Sequence, residues 1–389
     1  MADLEGLLVV SLEQAVAAPY ASCKLADAGA RVIKVERPEG DFARGYDSLV
    51  EGQSAYFVWL NRGKESVALD LKSEPDRALL RAIVSEADVF IQNFAPGAVD
   101  RLGLGAAELC ALHPRLIYCS ISGYGDAGPY RDQKAYDLLV QAESGLLSVN
   151  GTPDASVRVG ISVCDITAGL TAYAAILQSL IQRGRTGKGR HIEVSLFHAI
   201  ADWMNVPYLQ TRYGHKPPQR VGLRHPTIAP YGVFTCGDGK QVLLAIQNER
   251  EWARFCADVL HDPALQTDQR FATNIARVAN LEALEAAVHA VLGTMTREAA
   301  IARLEAGGIA YGRLSSLDDL VHHPQNNLVT VRTDGGEIEL LAPGASFPGE
   351  APVQFGPVPA VGEYTEALRR EFSGPQPEGA AAPRRVAGE

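Results

Sequence analysis

The chain has 389 residues, 47% of them hydrophobic and 21% charged, with a formal net charge of −10. That length exceeds what one compact core fills, so two domains are expected. The acidic balance argues against nucleic acid and anionic membrane as principal partners, although a local cluster of Arg and Lys still suits a small anion. Met1-Ala-Asp-Leu-Glu5 carries acids where a signal peptide carries Lys or Arg, and no apolar run of the roughly 18 residues that span a bilayer stands out. Cys23, Cys110, Cys119, Cys164, Cys236 and Cys256 form no C-x-x-C pair, and the nine histidines have no ligand spacing. Reduced thiols, a cytoplasmic location and no metal site are therefore expected.

Leu7–Leu12 reads as a strand, Tyr20–Ala28 as a helix stopped by Gly29, and Arg31–Val35 as a second strand. This alternation predicts a parallel sheet covered by helices. It recurs as a helix near Asp76–Glu86, a strand Val89–Gln92, a helix Ala106–Leu112 and a strand Leu116–Ser120. An apolar helix Ile166–Arg183, with Gly184 as its expected C-cap, precedes the strand His191–Ser195. Helical stretches over 196–214 lead out of this domain. Gly237-Asp-Gly239 joins Tyr231–Cys236 to Lys240–Ile246 as a hairpin, followed by helical patterns at 249–260, 280–293 and 296–306. Strand-like Glu337–Leu341 and the helix Glu363–Phe372 come last. The predicted organisation is a large α/β domain with linker helices over 1–215, a smaller α+β domain over 225–325, and a segment 326–372 returning to the large domain. The tail 373–389 is rich in Pro, Ala and Gly and poor in large apolar side chains, so disorder is expected there.

Three local features bear on chemistry. The first strand–helix–strand unit ends in Glu36, but its turn, Glu13-Gln-Ala-Val-Ala-Ala-Pro19, has no glycine, so a dinucleotide pyrophosphate finds no close backbone approach. Gly184-Arg-Thr-Gly-Lys-Gly-Arg190 has a phosphate-loop composition but follows a helix and precedes a strand, which makes it a basic connector. Arg31, Lys34, Arg37, Arg44, Arg62, Lys64 and Lys72 gather in 31–72, at predicted strand ends and loops where α/β folds bind ligands. A phosphate-bearing adenosine group would suit them. Asp165 is the only charged residue between Val159 and Gln182. At the mouth of an apolar helix, a lone carboxylate reads either as an N-cap that accepts first-turn N–H groups or as a nucleophile kept dry.

Six blocks in order carry a resemblance. They are Ala17-Ala-Pro19 with Leu25-Ala-Asp-Ala-Gly-Ala-Arg-Val-Ile-Lys-Val-Glu36; Gly40-Asp41, Arg44, Leu60-Asn-Arg-Gly-Lys64 and Leu69-Asp-Leu-Lys72; Asn93-Phe-Ala-Pro-Gly97 with Arg101 and Gly103; Tyr136-Asp137 with Gln141 and Gly145; Asp165, its helix and Thr186-Gly-Lys-Gly189; and His225-Pro with Pro230-Tyr231 and Asp238-Gly239. Over nearly its whole length the chain resembles the family III CoA-transferases, the CaiB/BaiF family. The resemblance implies an α/β fold: a large Rossmann-like domain with a parallel sheet plus a smaller α+β domain, in an interlocked homodimer. It also implies CoA transfer between carboxylic acids, with Asp165 as the nucleophile that forms a mixed anhydride and then an aspartyl-CoA thioester. A coenzyme A thioester is then a co-substrate, and no permanently bound cofactor is needed. Positions matching the CoA contacts are Val16, Ala17, Arg37, Leu69, Lys72, Asn93, Phe94, Ala95, Arg101, Lys134 and Tyr136, with Arg37, Lys72, Arg101 and Lys134 toward phosphates.

Departures from the family narrow the chemistry. Val16 stands where some oxalate-using members have Gln, and Gly222-Leu-Arg-His-Pro226 replaces their glycine run, which speaks against formyl- or oxalyl-CoA chemistry. Tyr136 occupies the position of the proton-exchanging His in related racemases, and a phenol of ordinary pKa ~10 is a poor base at neutral pH. Glu36-Arg-Pro-Glu-Gly-Asp-Phe-Ala-Arg-Gly-Tyr-Asp47 with Tyr56-Phe-Val-Trp-Leu-Asn-Arg62 resembles members that use succinyl-CoA and itaconate or mesaconate. The distal carboxylate of such an acid needs a cation, for which Arg44, Arg62 and Arg224 are the candidates. The alternatives are a CoA-ester isomerase, by intramolecular CoA shift or racemisation, and a non-catalytic CoA- or nucleotide-binding protein.

Overall fold

The computed structural model describes residues 2–349 and 354–372, so the tail at 373–389 lies outside the described residues. The chain divides into two compact units. The first takes the described residues up to Ser144, Gly160–Trp203 and those from Asn327 onward; the second takes Gly145–Val159 and Met204–Asn326. These limits differ from 1–215 and 225–325 in two places. Residues 145–159 join the second unit, and that unit begins at Met204, so that the helix Asn205–Arg212 belongs to it.

The first unit is mixed α/β. In chain order it runs β1 (Leu8–Leu12), α1 (Ala17–Asp27), β2 (Arg31–Glu36), α2 (Ala55–Asn61), β3 (Lys64–Ala68), α3 (Glu74–Ser85), β4 (Val89–Gln92), α4 (Ala106–Leu112), β5 (Ile117–Ser122), α5 (Asp137–Glu143), α6 (Val163–Thr186), β6 (His191–Ser195) and α7 (Leu196–Trp203). The six strands are all parallel, in the order β3-β2-β1-β4-β5-β6. The order reverses between β1 and β4, where the loops leaving the carboxyl ends part and form a crevice.

The two sheet faces differ chemically. Val10, Leu12, Ile33, Val35, Val67 and Phe90 pack with Leu80 and Ile83 of α3, Leu109 of α4 and Leu368 of the C-terminal helix Thr365–Phe372. Side chains alternate along a strand, so the residues between them face the other way. Register places Ser11, Lys34 and Ser66 in one row across β1, β2 and β3, all buried. That polar row explains why β3 escapes a reading by hydropathy: Lys64 and Ser66 look like surface residues, yet both are buried.

Helix α6 ends at Gly187, whose φ of 72° gives the left-handed cap, whereas Gly184 lies within the helix. By length and composition its 24 residues meet the requirement for a bilayer span, contrary to the count of apolar runs in the sequence. In this fold it packs on α1, α5, α7, β5 and β6, and Arg183 near its end pairs with Asp88 at 2.9 Å. The approach to α1 is close enough to require glycine: a Cβ on Gly169 would lie 2.5 Å from the Ala17 carbonyl oxygen and 2.9 Å from Tyr20 Cβ.

The second unit carries a three-stranded antiparallel sheet. The expected hairpin strands, Tyr231–Thr235 and Gln241–Ala245, gain a third strand, Ala310–Arg313. Its core is built on Trp252, Phe255 and Phe271, with buried Arg277 paired to Glu249 at 2.9 Å.

Gly169→Val is expected to lower stability by about 1–3 kcal/mol through overpacking of α1 on α6. Urea unfolding checks this, and an unchanged midpoint would contradict the close approach.

Candidate active site

Asp165 does not cap its helix. Helix α6 begins at Val163, and its N-cap residue, Ser162, makes no side-chain capping bond. The cap comes from α5. Asp137 Oδ1 accepts the backbone N–H of Cys164 at 2.7 Å and that of Asp165 at 3.3 Å. Its Oδ2 accepts Gln141 Nε2 at 2.7 Å, one turn further along α5. A foreign carboxylate thus satisfies orphan donors of the first turn, and the Asp165 side chain is released from that duty.

The consequence is electrostatic. Burial, reinforced by the Asp137 charge, pushes the Asp165 carboxyl up to about 7. No cation or hydrogen bond counteracts this among the described residues. Around it stand phenols and a hydroxyl. Tyr46 is raised to about 12 by burial and by the charges of Asp41 and Asp165, so it is neutral at physiological pH. Tyr46 packs edge-on against Tyr56 at 5.7 Å, and Tyr56 Oη lies 3.1 Å from Ser162 Oγ. Gly169, four residues beyond Asp165 and therefore on the same helix face, sits against Ala17 and Tyr20, so the first turn of α1 borders the site. Asp137, Tyr46, Tyr56 and Ser162 have no role assigned by sequence reasoning. The i,i+4 pair Asp137/Gln141 is a local signal for the first; nothing local marks the others.

The positions matched to CoA follow the carboxyl ends of five consecutive strands. Val16 and Ala17 follow β1, Arg37 follows β2, Leu69 and Lys72 follow β3, and Asn93, Phe94, Ala95 and Arg101 follow β4. Lys134 and Tyr136 follow β5 and lead into α5. The topology therefore gathers them at one edge of the sheet. Leu69 and Phe94 belong to the apolar face or pack against it. Asn93 braces the β1–α1 turn, accepting Gln14 N–H at 3.0 Å and donating to the Gln14 carbonyl at 2.8 Å. Tyr136 is exposed.

The basic residues sort into two classes. Arg37, Lys72, Arg101 and Lys134 are exposed, with no acidic partner among the described residues. The others that the sequence groups with them are engaged inside the chain. Arg31 pairs with Glu65 and Glu371, Lys34 with Glu13 and Asp41, and Lys64 with Glu13. The three arginines expected to meet a substrate carboxylate are engaged as well. Arg44 forks onto Glu36 at 2.7 and 2.9 Å and lies 3.6 Å above the Phe57 ring, Arg62 pairs with Asp27, and Arg224 pairs with Glu285. A guanidinium already forked onto an internal carboxylate must share or exchange that partner to receive a second one.

One group of potential metal ligands, Asp126, His191 and Glu193, comes together from the segment after β5 and from β6; sequence spacing had offered no such group. His191 Nε2 already bonds Ser120 Oγ at 2.9 Å, and two of the three residues are exposed.

The model for CoA-transferase family III matches residues 4–365. The chain is 37% identical over 376 residues to an acetyl-CoA:oxalate CoA-transferase of Acetobacter aceti, covering 96% of each. It is 35% identical over 390 aligned residues to a succinate–glutarate CoA-transferase of Agrobacterium fabrum, covering 95% of each. A crystal structure of a CaiB/BaiF family protein from Brucella suis matches with a TM-score of 0.81 at 35% identity, covering 95% of this chain and 99% of that one. An uncapped carboxylate at the crevice of a parallel sheet, in a chain matched end to end by these enzymes, has one reading at the level of family: the chain belongs to CoA-transferase family III, a family of transferases that use CoA thioesters as co-substrates.

Proposed function

We propose that the chain moves coenzyme A from succinyl-CoA to a small dicarboxylic acid of the itaconate or mesaconate type, with Asp165 as the nucleophile. The observation that carries this reading is the Asp165 carboxylate itself, freed from capping by Asp137 and half-buried beside the start of α1. The ionised Asp165 oxygen attacks the thioester carbonyl, and CoA leaves as thiolate with a mixed anhydride formed. The thiolate then attacks the Asp165 carbonyl, which releases the donor acid and leaves an aspartyl-CoA thioester. The acceptor carboxylate attacks that thioester, and the returning thiolate takes the acceptor acyl group and frees Asp165. No step transfers a proton, which suits a site lined by phenols and backbone N–H groups. Burial serves the anhydride, which water would hydrolyse, and in this reading the first-turn N–H groups of α1, which has no side-chain cap, stabilise the oxyanions.

Arg37, Lys72, Arg101 and Lys134 receive the phosphates in this reading, because they are exposed cations of the carboxyl edge with no acidic partner among the described residues. Val16, Ala17, Leu69, Asn93, Phe94, Ala95 and Tyr136 complete the CoA surface. A dicarboxylate acceptor is supported by the relative named for glutarate. We place the enzyme in the cytoplasm as an interlocked homodimer, for which the exposed Leu138, Leu139, Ile161 and Leu170 supply apolar surface.

Incubation with succinyl-CoA and hydroxylamine is expected to leave a hydroxamate on Asp165 by peptide mass spectrometry, and Asp165→Ala to lose at least about 1000-fold in kcat. A label elsewhere, or full activity of the variant, contradicts the nucleophile. A panel of C2–C6 mono- and dicarboxylates, read by product mass, fixes the acceptor; turnover confined to monocarboxylates contradicts the dicarboxylate reading.

Because the nucleophile must be ionised and its pKa is raised, kcat/KM is expected to fall as pH drops through about 7. Asp137→Asn keeps a carbonyl oxygen for the α6 cap and deletes the charge, so the inflection should move to lower pH. An unmoved profile would show that Asp137 does not set the titration.

A further inference from the structure

One cluster of buried titratable groups has no part in the transfer chemistry. It lies beneath the turn from β1 to α1, on the polar face of the sheet. The Glu13, Lys34, Asp41 and Lys64 side chains are fully buried. Glu13 Oε1 accepts Lys64 Nζ at 2.7 Å and Lys34 Nζ at 3.4 Å, while Oε2 accepts Ser11 and Ser22 hydroxyls at 2.5 and 2.6 Å. Lys34 reaches on to Asp41 Oδ2 at 2.9 Å. Burial alone would raise the Glu13 carboxyl, but the two ammonium groups override it and hold it at about 2.

The network grips one short stretch of backbone. Glu13 is held by its side chain, Gln14 by Asn93, and the Ala15 N–H by Asp41 Oδ1 at 3.2 Å. Ala15 adopts a φ of 64°, a left-handed conformation that a residue with a Cβ avoids unless its surroundings impose it. Directly after it, α1 starts with no side-chain cap, and Pro19 has no N–H, so the Ala17 and Ala18 N–H groups head the helix. This is the turn that borders Asp165.

We propose that Lys64 and Lys34, acting through Glu13 and Asp41, are positioning residues for CoA transfer: they hold the Ala15 turn in its left-handed form and so aim the first-turn N–H groups of α1 at the carbonyl reacting with Asp165. The proposal rests on Asp165 as nucleophile. A network that served stability alone would change folding without separating turnover from binding.

The variant Glu13→Gln/Lys64→Met removes both charges together and leaves no unpaired buried ion, a kind of exchange that folds commonly tolerate. The expected result is a kcat lower by about 100-fold, the penalty of a misaimed group, with the KM for succinyl-CoA within about 3-fold of wild type. Adding Ala15→Gly, which relaxes the left-handed strain, should recover at least about 5-fold of the lost kcat. The rate of hydroxylamine-trapped label on Asp165 in a single turnover separates the two readings. If the wild type carries no label on Asp165, the nucleophile reading fails; if it does and the variant labels at the wild-type rate, the positioning proposal alone fails. Equal losses in kcat and in CoA affinity, or no rescue by Ala15→Gly, also overturn it. Should the double variant not fold, Asp41→Asn keeps an oxygen for the Ala15 and Ala43 amides and removes only the charge facing Lys34. Its kcat is then expected to fall about 10-fold at unchanged KM, and an unchanged kcat overturns the proposal.

Discussion

The bond from the Cys164 N–H to Asp137 Oδ1, at 2.7 Å, decides what Asp165 can be. The first turn of a helix demands an acceptor, and the nearest carboxylate ordinarily supplies it. Here the acceptor arrives from another helix. Asp165 consequently keeps its charge unsatisfied, faces a like charge at close range, and sits where burial opposes ionisation. Those three conditions make a carboxylate that is reactive rather than structural. They depend in turn on the glycine contact at Gly169, which lets α6 lie against α1 and brings the site to the crevice beside β1.

The same unit handles two buried carboxylates in opposite ways. Glu13 is surrounded by two ammonium groups and two hydroxyls and is held at about 2, whereas Asp165 has no cation beside it among the described residues and rises to about 7. Environments that push like groups apart in pKa assign them different work. Glu13 remains ionised and stiffens a strained turn. Asp165 stands near the neutral point, where a carboxylate is nucleophilic enough to attack a thioester and stable enough to leave again.

Much of the layout is legible from alternation of strand and helix, because parallel strands buried on both faces read as continuous apolar runs. That holds for Leu8–Leu12 and Val89–Gln92. It fails for Lys64–Ala68, where inward positions are polar and satisfied by distant partners, so hydropathy reports a surface. The same limit affected the basic residues. Of seven that the sequence groups in 31–72, five are engaged with carboxylates from elsewhere in the chain, and Arg37 and Lys72 remain for an anion.

The sequence by itself determined the repeating strand–helix order, the lack of a glycine turn for a dinucleotide, and the isolation of Asp165 in an apolar stretch, since each is a property of neighbouring residues. Only the tertiary structure decided which carboxylate caps α6, which cations stay free and which acid is held ionised. Asp137 and Cys164 are 27 residues apart and Glu13 and Lys64 are 51 apart. Capping and ion pairing act over a few ångströms, and their strength depends on burial, so neither is set until the chain has folded.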